Sequence, residues 1–111
     1  MAKNTKATIV TIANAGTTTP TLTLDSSKIP LALEMPAAFT GTAITFKATS
    51  SAGGTPVPLY YESTLYSVTV GASRHVALNR VAFEAVKYLE LVSNAGAGET
   101  AARDIVVIQG E

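Results

Sequence analysis

The segment Ala43-Ile-Thr-Phe-Lys-Ala-Thr49 decides the fold class, because its apolar and polar side chains alternate without a break. Alternation with a period of two is typical of a β-strand that buries one face. It predicts that Ile44 and Phe46 point inward and that Lys47 points toward solvent. The segment therefore favours a sheet protein over a helical one.

Other short segments of similar composition flank this strand, and clusters of Gly, Pro, Asn and Ser separate them. They are rich in Thr, Val and Ile, whose branched Cβ atoms suit a pleated strand better than a helix. The further predicted strands cover residues 7–13, 21–24, 29–35, 57–61, 66–70, 75–78, 88–93 and 104–108. So many short strands predict an all-β protein, with an antiparallel β-sandwich or jelly-roll-like fold. We expect at most one short helical turn, capped by Asn79.

Two of these strands carry information about their place in the sheets. Pro30 and Pro36 bracket the third strand, which indicates either an edge position or a bend. The run Ile105–Ile108 does not alternate, so both of its faces need cover. The predicted core consists of Leu22, Leu24, Ile44, Phe46, Val68, Val70, Leu89 and Leu91.

The length and composition of the chain limit what it can do. Its 111 residues fit one domain, predicted at residues 7–111 behind a flexible N-terminal arm at residues 1–6. Charged residues make up only 14% of the chain, against about 25% in a typical protein. The formal net charge of +0 disfavours nucleic acid and anionic membranes as partners. A surface with so little charge favours contact with other proteins.

The sequence offers no recognisable catalytic set. Its one histidine, His75, lies in a predicted strand, and the absence of cysteine excludes thiolate catalysis and disulfides. The eight acidic residues show no calcium-loop spacing, and no glycine-rich segment sits between a strand and a helix as a phosphate loop would. We therefore expect no enzymatic activity, no cofactor and no metal. Four tyrosines remain as candidates for sugar stacking or an interface, among them Tyr60 and Tyr61.

Three segments together resemble a group of small virion proteins of tailed bacteriophages. They are residues 35–46, residues 68–78, and Phe83 with residues 87–93, all in the middle and second half of the chain. The resemblance implies a β-sandwich of the capsid decoration, or cement, type. Such a protein binds the outside of the major capsid shell and stabilises it, often as a dimer or trimer.

From this resemblance we expect a location on the capsid exterior of a virion, after synthesis in the host cytoplasm. The expected partners are the major capsid protein or other virion proteins, together with further copies of the chain. The candidate partner contacts are Ala2, Lys3, Asn4, Thr5, Lys6, Val106, Ile108, Tyr60 and Tyr61. A tail, neck or fibre component of a phage particle would use the same fold. A carbohydrate-binding module is an alternative from a different class, and it predicts a row of exposed tyrosines.

Overall fold

A computed structural model describes residues 4–111, in which the chain forms eleven short β-strands and one 3-10 turn. In chain order these are β1 (Thr5–Ile12), β2 (Leu22–Thr23), β3 (Ile29–Glu34), β4 (Ala43–Thr49), β5 (Val57–Pro58), β6 (Tyr60–Tyr61), β7 (Thr64–Leu65), β8 (Ser67–Thr69), β9 (His75–Ala77), the 3-10 turn Arg80–Phe83, β10 (Tyr88–Ser93) and β11 (Arg103–Gly110). The predicted all-β class is confirmed. Within residues 4–111, no helix has the length and apolar character needed to cross a membrane.

The strands form two main antiparallel sheets. The first, which we call the β11 sheet, has the order β1-β11-β3-β9. The second, the β4 sheet, has the order β2-β10-β4-β5, and β8 also pairs with β4. A separate hairpin joins β6 to β7. The chain passes from one sheet to the other between β1, β2, β3 and β4, and again between β8, β9, β10 and β11, so neighbours in the β11 sheet are distant in sequence.

The two sheets pack face to face around one hydrophobic core. Its buried members include Val10, Ile12, Leu33, Ile105 and Val107 from the β11 sheet, and Ile44, Phe46, Leu89 and Leu91 from the β4 sheet. Each such side chain contributes about 1.5–3 kcal/mol when it is fully buried, so this layer is the main source of stability. The predicted antiparallel β-sandwich is confirmed. Of the predicted core residues, Leu22 and Val68 are only partly buried and pack against the cluster.

A short helical turn closes part of the core, as the sequence predicted. The side-chain oxygen of Asn79 accepts a hydrogen bond from the backbone N–H of Val81 at 3.0 Å, which caps the 3-10 turn. The turn places the ring of Phe83 edge-on to Phe46, with ring centroids 5.0 Å apart. The cap therefore positions one of the largest core side chains.

The position of β3 in its sheet shows whether Pro30 and Pro36 indicate an edge strand or a bend. β3 lies between β11 and β9, so the predicted edge position is wrong. The bend is present instead, because Pro30 pairs with Gln109 and Ala32 with Ile108, which leaves Leu31 as an extra residue in β3. A bulge is a place where a proline without an N–H fits inside a sheet.

The first strand begins earlier than the sequence suggested. β1 pairs with β11 over eight residues, so Thr5 and Lys6 of the predicted arm belong to the sheet. The reason is the length of β11, whose last residues offer ladder partners to both. The side chain of Asn4 donates a hydrogen bond to the carboxylate of Glu111. The other predicted arm contacts, Ala2 and Lys3, lie outside the described residues.

Candidate functional site

The outer face of the β11 sheet is aliphatic. Residues directly opposite each other in antiparallel strands point to the same side of the sheet, so the register identifies this face. Its aliphatic members are Ala7, Ile9, Ala32, Ala77, Val106 and Ile108, which we call the outer apolar face; Ala32, between its neighbours, is only 7% exposed. The alternate residues of the same strands, such as Leu33 and Val107, point into the core and are 0% exposed.

Polar and charged side chains border the outer apolar face. The row that contains Val106 continues across the sheet to Glu34 and His75. On the next row, the hydroxyl of Thr11 donates to a carboxylate oxygen of Asp104 at 2.8 Å. An apolar centre with a polar rim is the usual arrangement of a protein–protein interface.

The outer face of the β4 sheet has a different character. β4 contributes Thr45, Lys47 and Thr49 to it, and Lys47 lies opposite Glu90 of β10. The hydroxyl of Thr21 donates to Glu90 at 2.8 Å. This face is predominantly polar, so the two sides of the sandwich offer a partner different chemistry.

Two predicted partner contacts, Val106 and Ile108, lie in the middle of the outer apolar face. Both are partly exposed, whereas Ile105 and Val107 are 0% exposed. This explains why the run does not alternate: one pair of side chains fills the core and the other pair forms the outer surface. Contact of Val106 and Ile108 with a partner remains a prediction.

Sequence reasoning missed Ile9, a prominent member of this face. Ile9 is 62% exposed and lies directly opposite Val106. The signal in the sequence was the adjacent pair Ile9 and Val10, which interrupts the alternation of β1 just as the run Ile105–Ile108 does in β11. Because Val10 is buried in the core, β1 also presents aliphatic side chains on both faces.

The predicted contacts Tyr60 and Tyr61 lie on the β6–β7 hairpin. Tyr60 is 61% exposed, and together with Val81, which is 52% exposed, it lines a cleft of about 390 Å³. Tyr61 is partly buried and meets the ring of Tyr66 edge-on, with centroids 6.5 Å apart. The cleft is a second exposed apolar surface, to which Leu59 and Val86 also contribute aliphatic side chains.

Of the remaining tyrosines, Tyr66 packs against the core and Tyr88 lies on the outer face of the β4 sheet, opposite Thr49. The ring of Tyr66 packs edge-on against Phe83, and its hydroxyl accepts a hydrogen bond from the backbone N–H of Asn79 at 2.9 Å. Tyr88 is partly buried in β10. Of the four tyrosines, only Tyr60 is largely exposed, so they do not form the exposed row that a carbohydrate-binding module predicts.

No protein-family model, curated protein or solved structure matches this chain. What the outer apolar face and the cleft beside Tyr60 could bind therefore follows only from the side chains that line them. The segments on which the sequence-based expectation rests, residues 35–46, residues 68–78, and Phe83 with residues 87–93, fall in β4, β8, β9, β10 and the turns beside them. They are parts of the sandwich framework, and the outer apolar face draws only Ala77 from them.

The buried carboxylate of Glu99 is engaged within the fold. It is 1% exposed and accepts hydrogen bonds from the backbone N–H groups of Thr40 at 2.8 Å and Gly41 at 3.0 Å. The hydroxyl of Ser93 donates to it at 2.9 Å, and Nε of Arg103 at 3.1 Å. Burial by itself raises the pKa of Glu99, but these hydrogen bonds outweigh it and hold the pKa below its ordinary value.

The other polar clusters are small and mostly solvated. Within residues 4–111, no three histidine or acidic side chains are grouped so that they could hold a metal ion. His75 Nδ1 lies 3.9 Å from a carboxylate oxygen of Glu34, and both side chains are exposed. A cleft of about 440 Å³ contains Asp25, whose carboxylate accepts two hydrogen bonds from Ser27.

Proposed function

We propose that this chain is a non-enzymatic virion structural protein, a capsid decoration or cement protein that binds the outside of the major capsid shell and stabilises it. The observation that carries the proposal is the outer apolar face, an aliphatic surface with a polar rim on one side of a sandwich whose other side is polar. Exposed apolar patches of this kind mark interaction sites. The resemblance of the three segments to phage virion proteins supplies the identity of the partner.

The size of the outer apolar face suits a partner that repeats. Each of its six positions takes about 4.8 Å between strands and about 6.8 Å along a strand, which gives an area of about 200 Å². A stable interface between two proteins buries about 800 Å² on each partner. One copy would therefore bind weakly through this face alone. Linked copies on a repeating lattice gain affinity through avidity, which favours a dimer or trimer on a capsid.

The low charge of the chain supports the same proposal. Eight basic and eight acidic residues give no net field that would concentrate nucleic acid or an anionic membrane at the surface. Desolvating the aliphatic part of this face costs little, because the charged Glu34 and Asp104 lie at its border, so even a small contact can be favourable. In this proposal the protein is made in the host cytoplasm and ends on the virion exterior.

A tail, neck or fibre component of a phage particle is the second candidate, because the outer apolar face could equally contact a ring or a spike. Carbohydrate binding has one feature in its favour, the exposed Tyr60 beside its cleft. A glycan array would test it. Binding of a glycan on this array that is lost in Tyr60→Ala would favour carbohydrate binding over capsid binding.

The test is to mix the purified protein with tailed-phage capsid shells that lack decoration and to image them by electron cryomicroscopy. We expect added density at repeated positions on the outer shell and a higher temperature of shell disruption. Density restricted to a neck or tail would favour the second candidate. An absence of any bound density at saturating protein would contradict a role as a particle component.

A further inference from the structure

Among the edge strands formed by residues 4–111, β1 differs from the others in its length and composition. It has eight residues and pairs with β11 on one side only. The other edges are formed by β8 and β9 with three residues each and by β2 and β5 with two each, and β5 contains Pro58. Short strands and prolines prevent sheets from pairing through their edges. β1 is long and contains no proline, so neither feature protects its edge.

The side chains of β1 also leave its edge open to another strand. Lys6 is the only charged residue in the strand, and it lies near the start. A cleft of about 280 Å³ separates β1 from Pro20 and Thr21, which precede β2, and from Leu22 of β2. An open row of unpaired backbone N–H and C=O groups on a long, aliphatic strand is a template for a further strand.

We propose that β1 pairs antiparallel with β1 of a second copy of this chain, so that two β11 sheets join into one eight-stranded sheet. A two-fold axis perpendicular to the sheet brings the same segment of both copies together, as in most homodimers. The inference uses only the edge of the sheet and does not depend on capsid binding. It names the interface through which the chain would form a dimer.

The side chains of β1 favour one register, with Thr8 on the two-fold axis. This register places Ile9 of each copy opposite Ala7 of the other, so a large exposed side chain lies beside a small one. It also keeps both outer apolar faces on the same side of the joined sheet, because opposite residues share a side. The two faces then form one surface about twice as large.

The area of the edge is sufficient for a dimer. Eight residues of about 3.4 Å span about 27 Å, and two sheets about 10 Å apart with their side chains make the edge about 20 Å deep. The contact would cover roughly 500 Å² on each copy, or roughly 1,000 Å² in total, which is the lower limit for a specific interface. We therefore expect a dimer that dissociates on dilution.

Sedimentation velocity over a range of concentrations tests the proposal on the isolated protein. We expect a monomer–dimer equilibrium in the unmodified chain. The double variant Ala7→Lys/Ile9→Lys would place like charges opposite each other and should raise the dissociation constant by about tenfold or more. The matched control Ala77→Lys adds a charge to the same face at the far edge strand β9, and it should leave the dissociation constant unchanged.

Cysteine cross-linking provides a second measurement that does not require the lysine variant to fold. The chain has no cysteine, so any disulfide formed by Thr8→Cys reports this contact alone. We expect Thr8→Cys to give a covalent dimer on mild oxidation, and the exposed control Thr69→Cys in β8 to give much less. A chain that stays monomeric up to about 1 mM, or equal cross-linking in both variants, would overturn the proposal. Cross-linking through Ile9→Cys but not Thr8→Cys would overturn the register.

Discussion

Nε of Arg103 donates a hydrogen bond to a carboxylate oxygen of Glu99 at 3.1 Å, and Glu99 is 1% exposed. The pair lies where three segments of the sandwich meet. Its partners Thr40 and Gly41 belong to the connection before β4, Ser93 ends β10, and Arg103 begins β11. The carboxylate therefore ties connections of both sheets together through charge-assisted hydrogen bonds.

Replacing this carboxylate should destabilise the fold. Glu99→Gln removes the charge that pairs with Arg103 and puts amide hydrogens against donors already aimed at the site. We expect the free energy of unfolding to fall by about 3 kcal/mol, as for other broken buried ion pairs. Urea denaturation measures this. The control Glu84→Gln changes an exposed acid and should alter stability by less than about 0.5 kcal/mol. An equal effect of both variants would contradict the structural role of Glu99.

The lowered pKa of Glu99 also predicts how stability depends on pH. A carboxyl with a folded-state pKa below its ordinary value of 4.5 contributes stability that is fully present above that value. The contribution is lost as the pH falls from 4.5 through the folded pKa. Urea midpoints between pH 7 and pH 2 should fall more steeply in the unmodified chain than in Glu99→Gln. Hydrogen bonds from Ser27 also lower the pKa of Asp25, so part of the acid dependence should persist in the variant.

The sequence predicted the framework better than it predicted the surface. The alternation around Ile44 and Phe46 identified a half-buried strand, because side-chain period and burial are linked within one strand. The partners of Glu99 could not be found in this way, since Thr40 and Glu99 are 59 positions apart and only the folded chain brings them together. The adjacent pair Ile9 and Val10 indicates that β1 has aliphatic side chains on both faces. The exposure of Ile9 was still missed, because the sequence of β1 does not say which of its two faces another sheet covers.

The loop of the β6–β7 hairpin contains a strained pair of residues. Glu62 and Ser63 have φ angles of 52° and 67°, a region that glycine occupies more easily than other residues. Ser63→Gly should therefore raise the free energy of unfolding, by about 0.5–1 kcal/mol after the greater freedom of glycine in the unfolded chain is subtracted. Urea denaturation measures the change. The matched control Ser26→Gly lies in another exposed turn and should give no increase. A loss of stability in Ser63→Gly would contradict the strain.

A deletion that tests the N-terminal arm as a partner contact should be shorter than the predicted arm, residues 1–6. Removing residues 2–6 would take Thr5 and Lys6 out of β1, so weaker shell binding could then reflect damage to the sheet. Removing residues 2–4 leaves the whole strand. If the first residues contact the shell, the shorter deletion should weaken co-sedimentation with shells while the thermal unfolding temperature changes by less than about 2 °C. Unchanged co-sedimentation would exclude the arm as a contact.

The outer apolar face gives the most direct test of how the chain would bind a shell. Val106→Lys or Ile108→Lys places a charge in the middle of that face, where a partner would have to desolvate it. We expect either change to weaken shell binding by about tenfold or more, whereas the isolated domain should lose less than about 1 kcal/mol because both side chains are only partly buried. Co-sedimentation and urea denaturation measure the two effects.

Thr45→Lys, on the outer face of the β4 sheet, is the matched control and should bind normally. Equal loss of binding in Thr45→Lys and Val106→Lys would mean that added charge anywhere on the sandwich disrupts attachment, and the outer apolar face would then have no special role.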